Sequence, residues 1–345
     1  MLEKLPDMID FRSDTVTRPT PRMKEAMMNA PLGDDVFGDD PTINQLEEKA
    51  AEMFGKEGAL FCASGTMTNQ IAINVHTSPG DEVICDKLSH IYYYEGGGIA
   101  RNSGASVMLL EGDHGRFTAE MVEKAINPDD IHRPVSRLVS VENTCNKGGG
   151  VIWDQHELER IAVVCKKNGL SFHLDGARLF NALVESGEST ESVGNTFDTI
   201  SICLSKGLGC PVGSLLIGDK QFIKQSRRVR KVLGGGMRQA GMLAAAGIYA
   251  LDHHVERLKE DHEKAGEIAE TLAAASWVKS VMPLQTNIIV AVLSGDVSQV
   301  EILDKLRTKG VFSMGFGPGK IRFVTHLDIS ESMIKETKHV IQTFI

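Results

Sequence analysis

Short runs of apolar, β-prone residues begin near residue 57 and alternate with stretches whose apolar positions recur at helical spacing. The runs 59–62, 82–85, 107–110, 138–141 and 172–174 are almost wholly apolar and end in turn-forming residues, as strands buried on both faces do. Strands separated by helical segments predict an α/β sheet covered by helices on both faces. Two further runs, 200–204 and 214–217, are separated by too little chain for a crossover helix, so they are expected to pair antiparallel and make the sheet mixed. Past Met237 a long helical pattern over 239–275, rich in Ala and Gly and then charged, reads as one connector. A strand at 287–293, a helix at 297–309, a strand at 320–326 and a helix at 331–344 then make a compact α+β unit. The expected division is a large domain over 1–245 and a connector with a small C-terminal domain over 246–345. Near the front, Asp40 is placed to cap a helix with Pro41 at its first position.

Composition narrows the function classes. A chain of 345 residues, 42% apolar and 24% charged, is long enough for a large core and two lobes. Its net charge of −9 opposes a polyphosphate backbone, so no nucleic-acid partner is expected. The basic run 224–231, with Arg227, Arg228 and Arg230, reads as a solvated helix face or an interface. The six cysteines contain no C-x-x-C pair and read as buried thiols of a cytoplasmic protein. Residues 1–10 lack an apolar export segment and no stretch of 18 apolar residues occurs, so neither export nor a membrane partner is expected.

Three segments that follow strands could carry chemistry. Ser64-Gly65-Thr66 opens a helix whose first amides can hold a dianionic phosphate, and Gly65 permits close approach, although Ser-Gly-Thr is also a routine cap. Asp175, in His173-Leu174-Asp175-Gly176-Ala177-Arg178, puts a carboxylate at a strand end, where α/β sheets bind ligands; it can pair with a pyridine nitrogen or merely cap a helix. Lys206 lies in a glycine-rich turn after a buried strand, placed to act as a nucleophilic amine. Adjacent His253 and His254 cannot face one ligand, so no metal is expected, and Gly234-Gly235-Gly236 has neither P-loop nor dinucleotide spacing.

Together with Phe11-Arg12-Ser13-Asp14-Thr15, Gly33-Asp34-Asp35-Val36-Phe37-Gly38-Asp39-Asp40-Pro41, Ser89-His90-Ile91, Glu142-Asn143-Thr144, Leu204 to Leu208, Gly236-Met237-Arg238-Gln239-Ala240 and Ile321-Arg322-Phe323-Val324-Thr325-His326, these segments resemble the L-threonine aldolases of the low-specificity or L-allo type. The matches run in family order from Ile9 onward. The resemblance implies the aspartate aminotransferase-type fold of pyridoxal-phosphate enzymes, a mostly parallel mixed sheet with a small α+β domain, and reversible cleavage of β-hydroxy-α-amino acids to glycine and an aldehyde. It implies that Lys206 carries pyridoxal 5'-phosphate as a Schiff base and that Asp175 bonds the pyridine nitrogen. Gly65 and Thr66 would hold the phosphate, joined by Arg238 from a neighbouring subunit, and His90 would stack on the ring near the reacting bond. Ser13, Arg178 and Arg322 would bind the substrate carboxylate, with Arg178 also beside the cofactor, and His132 would touch the β-hydroxyl. A homotetramer, a dimer of dimers with shared active sites, is likewise implied. Cys145 and Phe37 depart from the family's usual histidine and tyrosine, and both bear on substrate preference. The rival readings are a β-elimination or aminotransferase reaction on the same fold, and a binding protein that has lost turnover.

Overall fold

The computed structural model describes residues 8–343, so the reading of the first seven residues and the last residue of the helix expected over 331–344 lie outside the described residues. In chain order the strands are β1 (Ile9–Asp10), β2 (Gly58–Cys62), β3 (Glu82–Asp86), β4 (Ser106–Leu110), β5 (Ser136–Glu142), β6 (Ser171–Gly176), β7 (Thr199–Cys203), β8 (Ser214–Gly218), β9 (Val278–Val281), β10 (Ile288–Leu293), β11 (Val311–Phe312), β12 (Met314–Gly315) and β13 (Lys320–Val324). Seven of them form one sheet in the order β2-β8-β7-β6-β5-β3-β4. The pairs β3·β4, β3·β5, β5·β6 and β6·β7 are parallel, whereas β8 is antiparallel to both its neighbours, as its short connection to β7 requires. The C-terminal ends of the other six strands therefore emerge along one edge of the sheet. Both faces are covered, which is why β3, β7 and β8 are buried throughout, their polar residues included.

The second sheet, β12-β13-β10-β9, is antiparallel and packs under the helices Leu258–Ala273, Gln299–Thr308 and Glu331–Gln342. The single connector helix expected over 239–275 is instead two helices, Gly241–His253 and Leu258–Ala273. His254 interrupts them: it is buried, and its Nδ1 bonds the Leu208 carbonyl at 2.7 Å. Ala244, Ala250 and Leu258 belong to the core of the large sheet, while Ala265, Ile268 and Leu272 belong to that of the small one. The two cores thus part inside the second helix, and position 245/246 falls within the first.

The segment 9–17 joins both lobes. β1 pairs in parallel with β11, the Phe11 carbonyl accepts from Val324 N at 2.8 Å, and Thr17 Oγ1 donates to the Lys206 carbonyl at 2.9 Å. Asp40 caps the helix Pro41–Met53 as expected, accepting from Thr42 and Ile43 amides. The basic run lies in the helix Lys220–Val232, but not wholly in water: Arg230 is buried and pairs with Asp35 at 2.7 Å. All six cysteines are free and buried. Among the described residues no helix is long and apolar enough to cross a membrane.

Candidate active site

The carboxyl edge of the large sheet gathers most of the residues singled out above. Ser64 ends the turn after β2 and caps the helix Gly65–His76, its Oγ accepting from Met67 N at 3.2 Å. The first amides of such a helix have no partner within it and face outward with the positive end of the helix dipole. A Cβ on Gly65 would come within 2.5 Å of Cys203 Sγ, so glycine is needed for the helix start to close on β7. The same sulfur lies 3.6 Å from Lys206 Nζ, which puts the lysine amine beside the helix start. The lysine turn is fixed by Gly209, whose φ of +77° suits glycine, and by the Lys206 carbonyl, which accepts from Gly209 N at 2.8 Å.

Asp175 is buried at the end of β6, accepting at Oδ2 from Asn69 Nδ2 (2.9 Å) and at Oδ1 from Ala177 N (3.1 Å). The other hydrogen of the Asn69 amide goes to Glu95 Oε1, also at 2.9 Å. His90 begins the short helix after β3; its backbone N donates to Glu142 Oε2 at 2.8 Å and its Nδ1 faces Glu95 Oε1 at 2.9 Å. Ligand atoms of His90, Glu95 and Asp175 lie within 4.8 Å of one another. Burial opposes a charged His90, but the Glu95 hydrogen bond and the charges of Asp175 and Glu142 outweigh it and raise its pKa. Glu142, at the end of β5, is raised to about 7, first by burial and then by repulsion from Asp175.

On the side facing the small lobe, Arg178 donates from Nε and Nη2 to the two oxygens of Asp14, each at 2.7 Å, with both side chains buried. Burial alone would raise the Asp14 pKa, yet attraction to Arg178, Lys206 and Arg322 lowers it to about 2. Arg322, on β13, donates to Asn146 Oδ1 (2.7 Å) and the Arg12 carbonyl (2.9 Å), while its buried Nε has no partner. Burial and then the charge of Arg178 lower the Arg322 pKa to about 10. Phe316 covers its guanidinium at 5.1 Å. Ser13 is half-buried beside this group and caps the turn Asp14–Val16.

Lys206, Asp175, His90, Gly65, Thr66 and Arg178 thus stand along one edge of the large sheet, with Arg322 facing it from β13 and Ser13 from the joining segment, but not all as expected. Arg178 has both arms of its fork committed to Asp14, because a buried guanidinium needs a counter-charge, so Arg322 is the better placed of the two for a substrate carboxylate. His132 is exposed in the loop before β5, bonded to Asp130 at 2.8 Å. That loop feeds the amino end of β5, opposite the site, so one chain does not bring His132 to its own site. Arg238 is likewise exposed and pairs with Asp34 at 3.0 Å. Of the two departures from the family pattern, Cys145 is buried and Phe37 is 76% exposed. Asp14 and Glu142 stand in segments that carry the resemblance but were given no role, whereas Asn69 and Glu95 are recognisable only from the bonds that they make here.

The chain matches the family model described as "Beta-eliminating lyase" over residues 10–295. It is 43% identical over 330 residues to the "Low specificity L-threonine aldolase" of Escherichia coli (strain K12), spanning 95% of this chain and 97% of that one. It is 41% identical to the "Probable low-specificity L-threonine aldolase 2" of Arabidopsis thaliana, spanning 94% and 93%. A solved structure of Leishmania major threonine aldolase shares the fold with a TM-score of 0.83 at 23% identity, over 97% of this chain and 99% of that one.

Proposed function

The chain belongs to the beta-eliminating lyase family, and from that premise we propose that it is a pyridoxal-phosphate-dependent aldolase that cleaves L-threonine and L-allo-threonine to glycine and an aldehyde, reversibly. The observation that carries this is the convergence of Lys206, Asp175 and His90 on the carboxyl edge of the sheet, beside the helix start at Gly65. Relatives named low-specificity L-threonine aldolases, aligned over nearly the whole chain, favour carbon–carbon cleavage over β-elimination or amino transfer.

The residues fit the cofactor. A dianionic phosphate suits the unpaired amides of Gly65 and Thr66 where no Cβ blocks approach, the Lys206 amine stands next to them, and a buried carboxylate with fixed donors awaits a ring nitrogen. Bound there, pyridoxal phosphate supplies an electron sink for the pair left when the Cα–Cβ bond breaks. Lys206 holds it covalently, and Asp175 keeps the ring nitrogen protonated. With His90 Nδ1–H directed at Glu95, the ring presents Nε2 to the reacting groups, the nitrogen available to take the β-hydroxyl proton. Glu142 anchors the His90 backbone from below. Arg322, with its unpartnered Nε, and Ser13 hold the substrate carboxylate, and Arg178 fixes Asp14 behind them.

The protein works in the cytoplasm as a homotetramer whose sites are shared. What supports the sharing of sites is that a single chain leaves Phe37 and Ile131 76% and 97% exposed, beside the two site residues that it does not bring home, Arg238 and His132. Each of these enters a neighbour's site, Arg238 toward the phosphate and His132 toward the β-hydroxyl.

The test is to assay purified, cofactor-loaded protein with both threonine epimers, coupling the aldehyde to an alcohol dehydrogenase, and to map the lysine labelled by borohydride. Aldehyde and glycine from both epimers, with the label on Lys206, are expected. Release of a 2-oxo acid and ammonia instead would establish β-elimination.

A further inference from the structure

The residues behind Asp175 form a continuous hydrogen-bonded line that leaves the active site and runs the length of the sheet. Alternation along β6 puts His173 and Asp175 on one face, the face covered by the helix Gly65–His76. On that helix Asn69 and His76 are seven residues apart, two turns along one stripe. Thr199 is the register partner of His173 on β7. The distances are 2.9 Å from Asn69 Nδ2 to Asp175 Oδ2, 3.2 Å from His173 Nε2 to Asn69 Oδ1, 2.9 Å from His173 Nδ1 to Thr199 Oγ1 and 3.0 Å from Thr199 Oγ1 to His76 Nε2.

Its direction follows from the donors available. The Asn69 amide nitrogen faces two carboxylates, so its oxygen is the atom turned to His173, and His173 Nε2 must carry the proton. A neutral His173 then accepts at Nδ1 from the Thr199 hydroxyl, and Thr199 must accept from His76 Nε2–H. Burial depresses both histidines, His173 to about 3 and His76 to about 4, which keeps them neutral. Every donor therefore points toward Asp175. Aligned bonds polarise one another in a buried setting, so the far end acts on the near end. His76 is the outer terminus, stacked on Phe222 at 4.8 Å and lining a surface groove with Lys166, Asp198 and Gln225.

We propose that His76, Thr199, His173 and Asn69 are positioning residues for the reaction, a one-way line of donors that fixes the Asp175 carboxylate in the orientation needed to keep the cofactor's ring nitrogen protonated. This deepens the reading of Asp175 given above and rests on it. It assigns function to His76 and Thr199, which touch neither substrate nor cofactor.

The experiment is nitrogen-15 NMR of the holoenzyme loaded with ring-labelled pyridoxal phosphate, with kcat and KM measured alongside. Asp175→Asn should move the ring-nitrogen resonance strongly toward the unprotonated value. Thr199→Val and His76→Phe should move it part of the way in the same direction and lower kcat about three- to thirtyfold with KM little changed. Thr199→Ser, which keeps the hydroxyl, should restore both readouts. Phe at position 76 retains the stack on Phe222, so that variant decides the matter even where Thr199→Val does not fold. A resonance unmoved by Asp175→Asn would sink the role of Asp175 itself. A resonance moved by Asp175→Asn and left in place by His76→Phe and any folded Thr199→Val would overturn the line while leaving Asp175 in its role.

Discussion

Asp14→Asn should be the most damaging single loss of charge outside the cofactor contacts. Asp14 is buried, accepts both arms of Arg178 at 2.7 Å, and also faces Lys206 and Arg322. A carboxyl lowered from 3.8 to about 2 has its charged form favoured by roughly 2.4 kcal/mol in the folded state. The sign is that of a depressed acid: this contribution is whole above the unfolded value near 3.8 and is lost as pH falls through about 2. Neutralising the residue does more, because it leaves Arg178 buried without a counter-charge and next to Arg322. Such a break costs about 3–5 kcal/mol, a fall in Tm of roughly 4–7 °C for a chain of this length. Urea unfolding of the cofactor-free protein measures the loss. Asp14→Leu combined with Arg178→Met removes both charges and should recover most of it. The reasoning fails if Asp14→Asn lies within about 1 kcal/mol of the parent, or if the double variant is less stable than either single one.

Asp175→Asn should leave the fold intact and lower kcat by roughly 100- to 10,000-fold, about 3–5 kcal/mol of lost transition-state stabilisation; near-parental turnover with cofactor bound would remove it from the role. Glu142, raised to about 7, favours folding most below its unfolded value near 4.5 and progressively less as pH rises to about 7, so Glu142→Gln should gain stability relative to the parent across that window. A stability difference constant from pH 4.5 to 7.5 would contradict the raised pKa. Lys206→Ala and Arg238→Ala, each inactive alone, should on random one-to-one reassembly give a mixture with about a quarter of the parental sites working, one of the two shared sites in each hybrid pair, whereas hybrids that stay inactive would return Arg238 to its own chain. His132→Phe should narrow the kcat/KM gap between the two threonine epimers, and an unchanged ratio would exclude His132 from the hydroxyl.

The parts of the fold that could be read in advance were those whose signal is local. Buried strands of the large sheet are mostly apolar runs, and the close return from β7 to β8 leaves no chain for a crossover, so the mixed sheet was legible. The break before Leu258 was not, because no Gly or Pro marks it and its cause is a bond from His254 to Leu208. The site divides the same way. Lys206, Asp175 and Gly65 follow strands and could be picked out by position, whereas the engagement of Arg178 by Asp14 depends on a partner 164 residues away. Asn69 and Glu95 sit in ordinary helix and turn sequence, and what sets them apart is the Asn69 amide shared between Glu95 and Asp175, a partner 106 residues away.

The segment 9–17 gives the carboxylate pocket an unusual owner. The same few residues zip onto β11 and β13 in the small lobe, present the carbonyl that holds Arg322, and brace the lysine turn through Thr17. Any drift of one lobe against the other is therefore felt at once by the Arg322 guanidinium and by the turn that carries Lys206, the groups proposed to hold the substrate carboxylate and the cofactor. Selection for a new side chain on the substrate has little freedom here, since a change at Arg12, Ser13 or Asp14 loosens the hinge together with the grip. The segment that follows Cys145 is tied in the same way, since Asn146 accepts from Arg322 and the Gly150 carbonyl accepts from Thr286, so the small lobe is gripped from two sides of one guanidinium.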